Sequence, residues 1–331
     1  LSAGIAKVAS VLAEIPWASI SPPGSPLILV ALVYAVWTGG LYFLNPTRFK
    51  PGLFVSLILL SGVIWSWATK PLDLNILFLD VGQGDSMIIQ LPDQRTMLID
   101  GGPRNYRRDS GRDVVLPVLS YLGITRLNWM VATHPHSDHL GGLISVLQTI
   151  PVDTVVTIRR RSGSHLETRF FTLLDSAGTI VDSNSIGKSI VGGRGVGVQF
   201  LWPPKDWGKR GNINNQSIVV RISEGKKACL LMGDLEMDGE RELLIRWKLP
   251  PTTLVKLGHH GSITGTSPEF LDAIDPQIAV ISVGARNKFG HPSPVVLRRL
   301  TNRRIQVHRT DDSGALWVRI HNDQLDSLSW K

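Results

Sequence analysis

The chain has 331 residues, enough for one large domain and a smaller one. Its single cysteine, Cys229, excludes an internal disulfide and a thiolate-rich metal site. A net charge of +8 favours acidic partners such as nucleic acid or anionic lipid. The chain opens on Leu1 rather than Met and is expected to be a piece of a longer polypeptide.

The first seventy residues differ from the rest. Residues 27–44 and 53–68 are almost free of charge, and each is about long enough to cross a bilayer. Two transmembrane helices are therefore expected there, with residues 1–70 forming a membrane segment. A pair of buried helices in a soluble bundle is the competing reading. Trp37, Tyr42, Trp65 and Trp67 include amphipathic rings suited to a membrane boundary. The loop between the stretches carries Arg48 and Lys50, and positive charge in short loops tends to stay cytoplasmic. That places the chain after Lys70 on the extracellular side, a reading that Lys70 itself opposes slightly.

From Leu74 onward, short apolar strands alternate with helical stretches. Strands are expected at 75–80, 86–91 and 96–100, the last two joined as a hairpin across the turn at Pro92. A strand at 129–132 lies between helices at 113–122 and 139–150. Later strands are expected at 197–201, 217–222, 228–232, 253–257, 277–283 and 315–320, with helices at 238–247, 267–274 and 294–302. Strands with helices interspersed along the length point to two sheets covered by helices.

The densest chemical signal is His134-Pro-His-Ser-Asp-His139, placed between an apolar run and Gly141-Gly142. A turn between a strand end and a helix start can point these side chains into one cavity. Neutral imidazoles suit zinc and related divalent ions, and a carboxylate adds charge compensation. His134 and His136 can reach one ion, while Asp138 and His139 face the other way and can hold a second. Two neighbouring ions form a clamp for hydrolysing a phosphate ester or a similar bond.

Other motifs repeat the layout of an apolar strand followed by glycine and a ligand type. Asp234 follows Leu230-Leu-Met-Gly, where it can bridge two cations or cap a helix. His259 and His260 follow Leu254-Val-Lys-Leu-Gly, and two adjacent histidines after a strand are rarely core residues. Asp80 and Asp85 flank Val-Gly-Gln-Gly, and Asp100 precedes Gly101-Gly102. These carboxylates either brace ligating imidazoles from behind or belong to ordinary glycine turns. Asn214, Asn215 and Ser217 offer amides and a hydroxyl for weak ligation or phosphate binding. His291, in Asn287-Lys-Phe-Gly-His-Pro292, lies on a loop before a helix start, where it serves an anion or simply the cap.

With these motifs in order, the chain resembles the metallo-β-lactamase superfamily. More narrowly, it resembles the carboxy-terminal domain of ComEC-family competence proteins, which form the membrane channel for DNA uptake. The resemblance rests on FLDVGQGDS, LIDGG, THPHSDHLGG, NxxS, MGD, LGHHGS and FGHP, and covers about residues 74–321. It implies a metallo-β-lactamase-like αββα four-layer sandwich over residues 71–331, with residues 1–70 as the end of a channel domain. It also implies two divalent metal ions, zinc or manganese. His134 and His136 would hold one; Asp138, His139 and a histidine of the HHGS motif would hold the other, with Asp234 bridging. His260 is preferred over His259 as that ligand. Many superfamily members have a further histidine before the MGD motif; here Asn214, Asn215 and Ser217 stand instead, so the first position loses an imidazole.

The implied activity is hydrolysis of a DNA phosphodiester by a membrane-tethered nuclease that degrades one strand during DNA uptake, in contact with other uptake components. Asp138, Asp234 and His291 are the expected catalytic residues. His259 shares with His291 the expected role of protonating the leaving oxygen. Lys256, Asn287 and Lys288 are expected to bind phosphate. Arg159–Arg161 and the group Arg298, Arg299, Arg303 and Arg304 either track the DNA backbone or form a solvated face. The competing functions are another hydrolase of the superfamily and a catalytically silent domain that guides DNA into the channel.

Overall fold

A computed structural model describes residues 73–158, 163–182, 187–207 and 212–330, together with Ile58 and Ser61. The stretches expected to span a membrane lie otherwise outside the described residues, as do Arg159–Arg161. Among the described residues no helix is long and apolar enough to cross a membrane. The chain divides into two compact units, Leu1–Lys70 and Pro71–Lys331, and every described strand belongs to the second.

The strands begin with β1 (Leu74–Phe78), β2 (Met87–Gln90), β3 (Thr96–Ile99), β4 (Leu127–Ala132), β5 (Val152–Thr157), β6 (Ile180–Asp182) and β7 (Ser189–Val191). They continue with β8 (Gly197–Trp202), β9 (Val219–Glu224), β10 (Lys227–Leu231), β11 (Leu254–Lys256), β12 (Ile278–Ile281), β13 (Gln306–Arg309), β14 (Ala315–His321) and β15 (Gln324–Trp330). One eight-stranded sheet has the order β15-β14-β1-β2-β3-β4-β5-β6, and a seven-stranded sheet has β13-β12-β11-β10-β9-β8-β7.

Side-chain alternation along these strands assigns each face. Leu74, Ile76 and Phe78 of β1 join Phe200, Ile222 and Leu231 of the other sheet in one buried cluster, which therefore lies between the sheets. Leu77 points the other way, toward the helices α1 (Leu116–Tyr121), α3 (Leu143–Thr149) and α4 (His165–Ala177), through Leu119, Ile144 and Phe170. On the second sheet, Leu230 and Val255 pack outward against α5 (Met237–Arg246), α6 (Pro268–Ile274) and α7 (Pro294–Asn302), through Leu243, Phe270 and Leu300. The result is four layers, helix–sheet–sheet–helix.

Three departures from the expected elements have local causes. The helix expected at 139–150 is two helices, α2 (Ser137–Leu140) and α3, divided at Gly141 and Gly142. A Cβ on Gly142 would lie 2.0 Å from the Gly101 carbonyl oxygen, so the two Gly-Gly pairs interlock where no side chain fits. The helix expected at 113–122 starts as a π-turn over Gly111–Val115 before α1. Helix α4 is additional to the expected set, although Ser164 caps it by accepting from the Glu167 N–H at 3.1 Å, and Gly178 closes it at φ 62°.

The topology brings one edge of each sheet together. Strands β3, β4 and β5 run parallel, as do β10, β11 and β12. Asp100 follows β3, the His134–His139 run follows β4, Asp234 follows β10, His260 follows β11 and His291 lies on the loop after β12. All leave from carboxyl ends of parallel strands.

Candidate metal centre

Asp234 stands where the side chains from the two sheets meet. Its Oδ2 lies 3.6 Å from His134 Nε2, and its Oδ1 lies 3.2 Å from His139 Nε2 and 3.7 Å from His260 Nε2. The two oxygens thus face two different clusters. In one, His134 Nε2 and His136 Nδ1 are 3.1 Å apart beside Asp234. In the other, His260 Nε2 is 3.3 Å from Asp138 Oδ2, with His139 and Asp234 alongside. All six residues expected as metal ligands are therefore brought together.

The donor set fits cations. His139 Nε2 and Asp234 Oδ1 are buried and have no hydrogen-bond partner among the described residues, although they face each other. Unpaired buried polar atoms are costly, and divalent ions placed among them would satisfy both.

Three of the rings, His134, His139 and His260, are held from behind so that one nitrogen faces the site. His139 Nδ1 donates to Asp100 Oδ2 at 2.8 Å. Asp100 also accepts from the Thr133 hydroxyl at 2.7 Å and the Thr133 N–H at 2.9 Å. His134 Nδ1 meets the Thr133 hydroxyl at 3.1 Å and the Ser217 hydroxyl at 3.3 Å. His260 Nδ1 donates to the Ser282 carbonyl at 2.9 Å. Such outer partners fix the tautomer and orientation of ligating imidazoles. Ser217 also accepts from the Asp234 N–H at 3.0 Å, so it ties His134 to Asp234 rather than supplying the missing imidazole.

Asp85 sits behind the site. Its carboxylate faces the Nδ1 sides of His260, at 3.4 Å, and of His139, at 3.8 Å. It pairs with Lys256, whose ammonium also donates to the Gly233 carbonyl at 3.0 Å. Lys256 is fully buried. This corrects the expectation that Lys256 binds phosphate: its ammonium is enclosed and neutralises Asp85.

The charges follow from burial and carboxylate density. Burial and the neighbouring His139 charge hold His134 well below the usual imidazole range, so it is neutral and ready to ligate. For His139, burial opposes protonation, but the carboxylates of Asp234, Asp100 and Asp85 raise it well above that range. His260, likewise buried, is pushed up to about 9 by Asp234, Asp138 and Asp85. Burial also disfavours the charge on Asp138, yet the His260 hydrogen bond and His139 hold its carboxyl below the ordinary range. In the absence of cations, these carboxylates draw protons onto the imidazoles instead.

A second group of residues forms the mouth. Asp138 and His136 are half-buried, whereas His134, His139, His260 and Asp234 are buried, so the site opens on the Asp138 side. His259, at φ 48°, turns its Nδ1 to Glu236 Oε1 at 3.0 Å, and its ring lies 5.5 Å from that of His291. Glu236 also accepts from Asn212 at 2.6 Å, Asn214 at 3.1 Å and Thr264 at 3.0 Å. Burial opposes its ionisation, but these donors, His259 foremost, pull its carboxyl down to about 2. Burial and the charges on His259 and His260 lower His291, which leaves that ring neutral near pH 7.

Several expected residues have other duties. Asp80 is exposed and accepts from the Gly82 N–H at 3.0 Å, a turn contact outside the ligand clusters. Asn215 is buried, with its Oδ1 accepting from the Glu236 N–H at 3.0 Å. Asn287 braces the His291 loop, accepting from the His291 N–H at 3.0 Å and donating to the Gly284 carbonyl at 3.0 Å. Lys288 is exposed at the same loop. Arg299 donates to the Thr266 carbonyl at 2.8 Å and Arg303 to Asp272 at 2.7 Å, so part of that basic group is structural. Thr133, Glu236 and the Ser282 carbonyl are site members that the motifs do not single out. Glu236, two residues beyond Asp234, is the one with a visible signal.

The family model for the metallo-β-lactamase superfamily matches residues 79–285. ComE operon protein 3 of Bacillus subtilis is 30% identical over 256 residues, covering 74% of this chain and 33% of that protein. Competence protein ComA of Neisseria gonorrhoeae is 33% identical over 241 residues, covering 72% and 31%. Recombination protein 2 of Haemophilus influenzae is 29% identical over 255 residues, covering 75% and 29%. The chain spans about a third of the length of these relatives.

Proposed function

From the premise that the chain belongs to the metallo-β-lactamase superfamily, we propose that it is a metal-dependent DNA phosphodiester hydrolase. In this reading it is tethered to the membrane with its hydrolase unit outside, and degrades one strand during DNA uptake beside other uptake components. The observation that carries the chemistry is Asp234, whose two oxygens face two separate imidazole clusters. The names of two relatives, Competence protein ComA and Recombination protein 2, and the net charge of +8 support a DNA substrate.

Two divalent ions, zinc or manganese, would be held by His134, His136 and Asp234 on one side and by Asp138, His139, Asp234 and His260 on the other. When bound, they supply a water of lowered pKa and Lewis acidity toward a phosphoryl oxygen. The chain's own part is positional. Asp100, Thr133 and Ser282 lock the ligating rings, and Asp85 with Lys256 balances charge behind them. Glu236 holds the proton on His259 Nδ1 and so fixes which ring nitrogen faces the mouth. His291, neutral and half-buried beside it, offers an N–H to a phosphoryl or leaving oxygen.

The test is the full chain incubated with single-stranded DNA and Zn²⁺ or Mn²⁺. Cleavage that disappears in Asp138→Ala and Asp234→Asn is expected. Binding without cleavage at any metal concentration would refute hydrolysis and leave a guiding role.

A further inference from the structure

A short finger beside the site takes no part in the hydrolytic chemistry. Residues 104–109 project from the segment after Asp100-Gly101-Gly102. The finger is closed at its base by a bridge between Arg104 and Asp109, whose side chains pair at 3.0 Å. Ser145 donates to the same Asp109 carboxylate at 2.6 Å. Asn105 tightens the tip by accepting from the N–H groups of Arg107, at 2.8 Å, and Arg108, at 3.0 Å. The tip therefore has a defined shape, and it presents Tyr106 at 89% exposure with the Arg107 guanidinium 5.1 Å from its ring centre.

The finger adjoins the metal ligands. A Cβ on Gly84 would meet the Asp138 carbonyl oxygen at 2.3 Å and Pro103 at 2.9 Å, so the residue before the finger and the backbone of Asp138 meet across Gly84. Arg108 lies against Gly82, at 2.7 Å from a Cβ there. The same turn reaches the opposite loop, where Gly284 N–H donates to Gln83 Oε1 at 3.1 Å. That loop carries a second exposed ring, Phe289, 56% exposed and stacked on His291 at 5.9 Å, with the Lys288 ammonium 5.3 Å from it.

Single exposed aromatic rings are ordinary on a protein surface. Here two of them, each with a cation over it, lie on the two loops that meet across the Gly82–Gly84 turn. A ring presents a face to any base, and an adjacent cation meets the phosphate that follows it. A duplex hides its base faces, whereas a single strand exposes them. Resting on the hydrolase reading, we infer that Tyr106 and Phe289 are base-stacking platforms that select single-stranded polynucleotide and lay its backbone across the site, with Arg107 and Lys288 on the phosphates.

The test is fluorescence anisotropy with the full chain in EDTA, which prevents cleavage, using labelled oligothymidylate and an abasic oligomer of equal length. Tyr106→Ala and Phe289→Ala should each weaken oligothymidylate binding about fivefold or more, as expected for loss of one stacked base. Abasic binding should stay as in the unaltered chain, and Tyr106→Phe and Phe289→Tyr should retain affinity. Arg107→Ala and Lys288→Ala should weaken both probes and flatten the salt dependence. Unchanged oligothymidylate affinity without the rings, equal loss on both probes, or no binding by the unaltered chain would each overturn the inference. Failure of DNA cleavage with metal added would sink the hydrolase and leave this affinity result standing. Ring-independent affinity alongside intact cleavage would sink only the stacking.

Discussion

Asp100 Oδ2 lies 2.8 Å from His139 Nδ1, and that contact decides which nitrogen of His139 faces Asp234. The same carboxylate reaches the second cluster through the Thr133 hydroxyl and His134. One buried residue thus braces imidazoles of both groups from behind. Asp100→Asn is expected to lower metal affinity about 10- to 100-fold, the usual effect of removing such a partner. Competition against a chromogenic chelator measures it, and unchanged affinity would remove Asp100 from the account.

The buried Asp85–Lys256 pair joins the turn after β1 to the end of β11, 171 residues away in sequence. Breaking a buried pair leaves an uncompensated charge and costs about 3–5 kcal/mol. Lys256→Met should therefore destabilise the unit by that order. Adding Asp85→Asn should return a large part of the loss, because both charges are then gone. Denaturant unfolding of the two single variants and the double variant gives the coupling. Simple additivity would mean that the pair does not act as a unit.

Metal-stripped protein should lose stability on the alkaline side. His139 and His260 have folded pKa values above the ordinary 6.5, that of His260 reaching about 9. Their contribution is complete below about pH 6.5 and is lost as pH rises through the folded pKa, which for His260 is about 9. Asp138 and Asp234, both lowered, contribute above the ordinary carboxylate range and lose that contribution in acid. With metal bound the imidazoles are neutral ligands, so the alkaline loss should vanish. Thermal unfolding from pH 6 to 9.5, with and without Zn²⁺, checks this; identical profiles would contradict it.

Much of the candidate metal cluster is legible in the sequence because ligand types are dense. Three imidazoles and a carboxylate in six residues leave few other uses, and Asp234 and His260 each follow an apolar strand and a glycine. The role of Lys256 is not legible. Its neighbours Leu254, Val255 and Leu257 mark a strand, but its partner Asp85 is distant in sequence and only the fold brings them together. Glu236 looks like the helix cap that it also is, and its link to His259 depends on a left-handed backbone at His259. Among the elements, α4 escapes notice despite its Ser164–Glu167 cap, while β15 alternates polar and apolar residues too weakly to stand out.

Anomalous diffraction from crystals soaked in Zn²⁺ or Mn²⁺ tests the centre most directly. Two peaks are predicted, one against His134, His136 and Asp234, the other against Asp138, His139, Asp234 and His260, with a different Asp234 oxygen turned to each. A map with no peak at Asp234, in crystals that take up the metal elsewhere, would contradict the account.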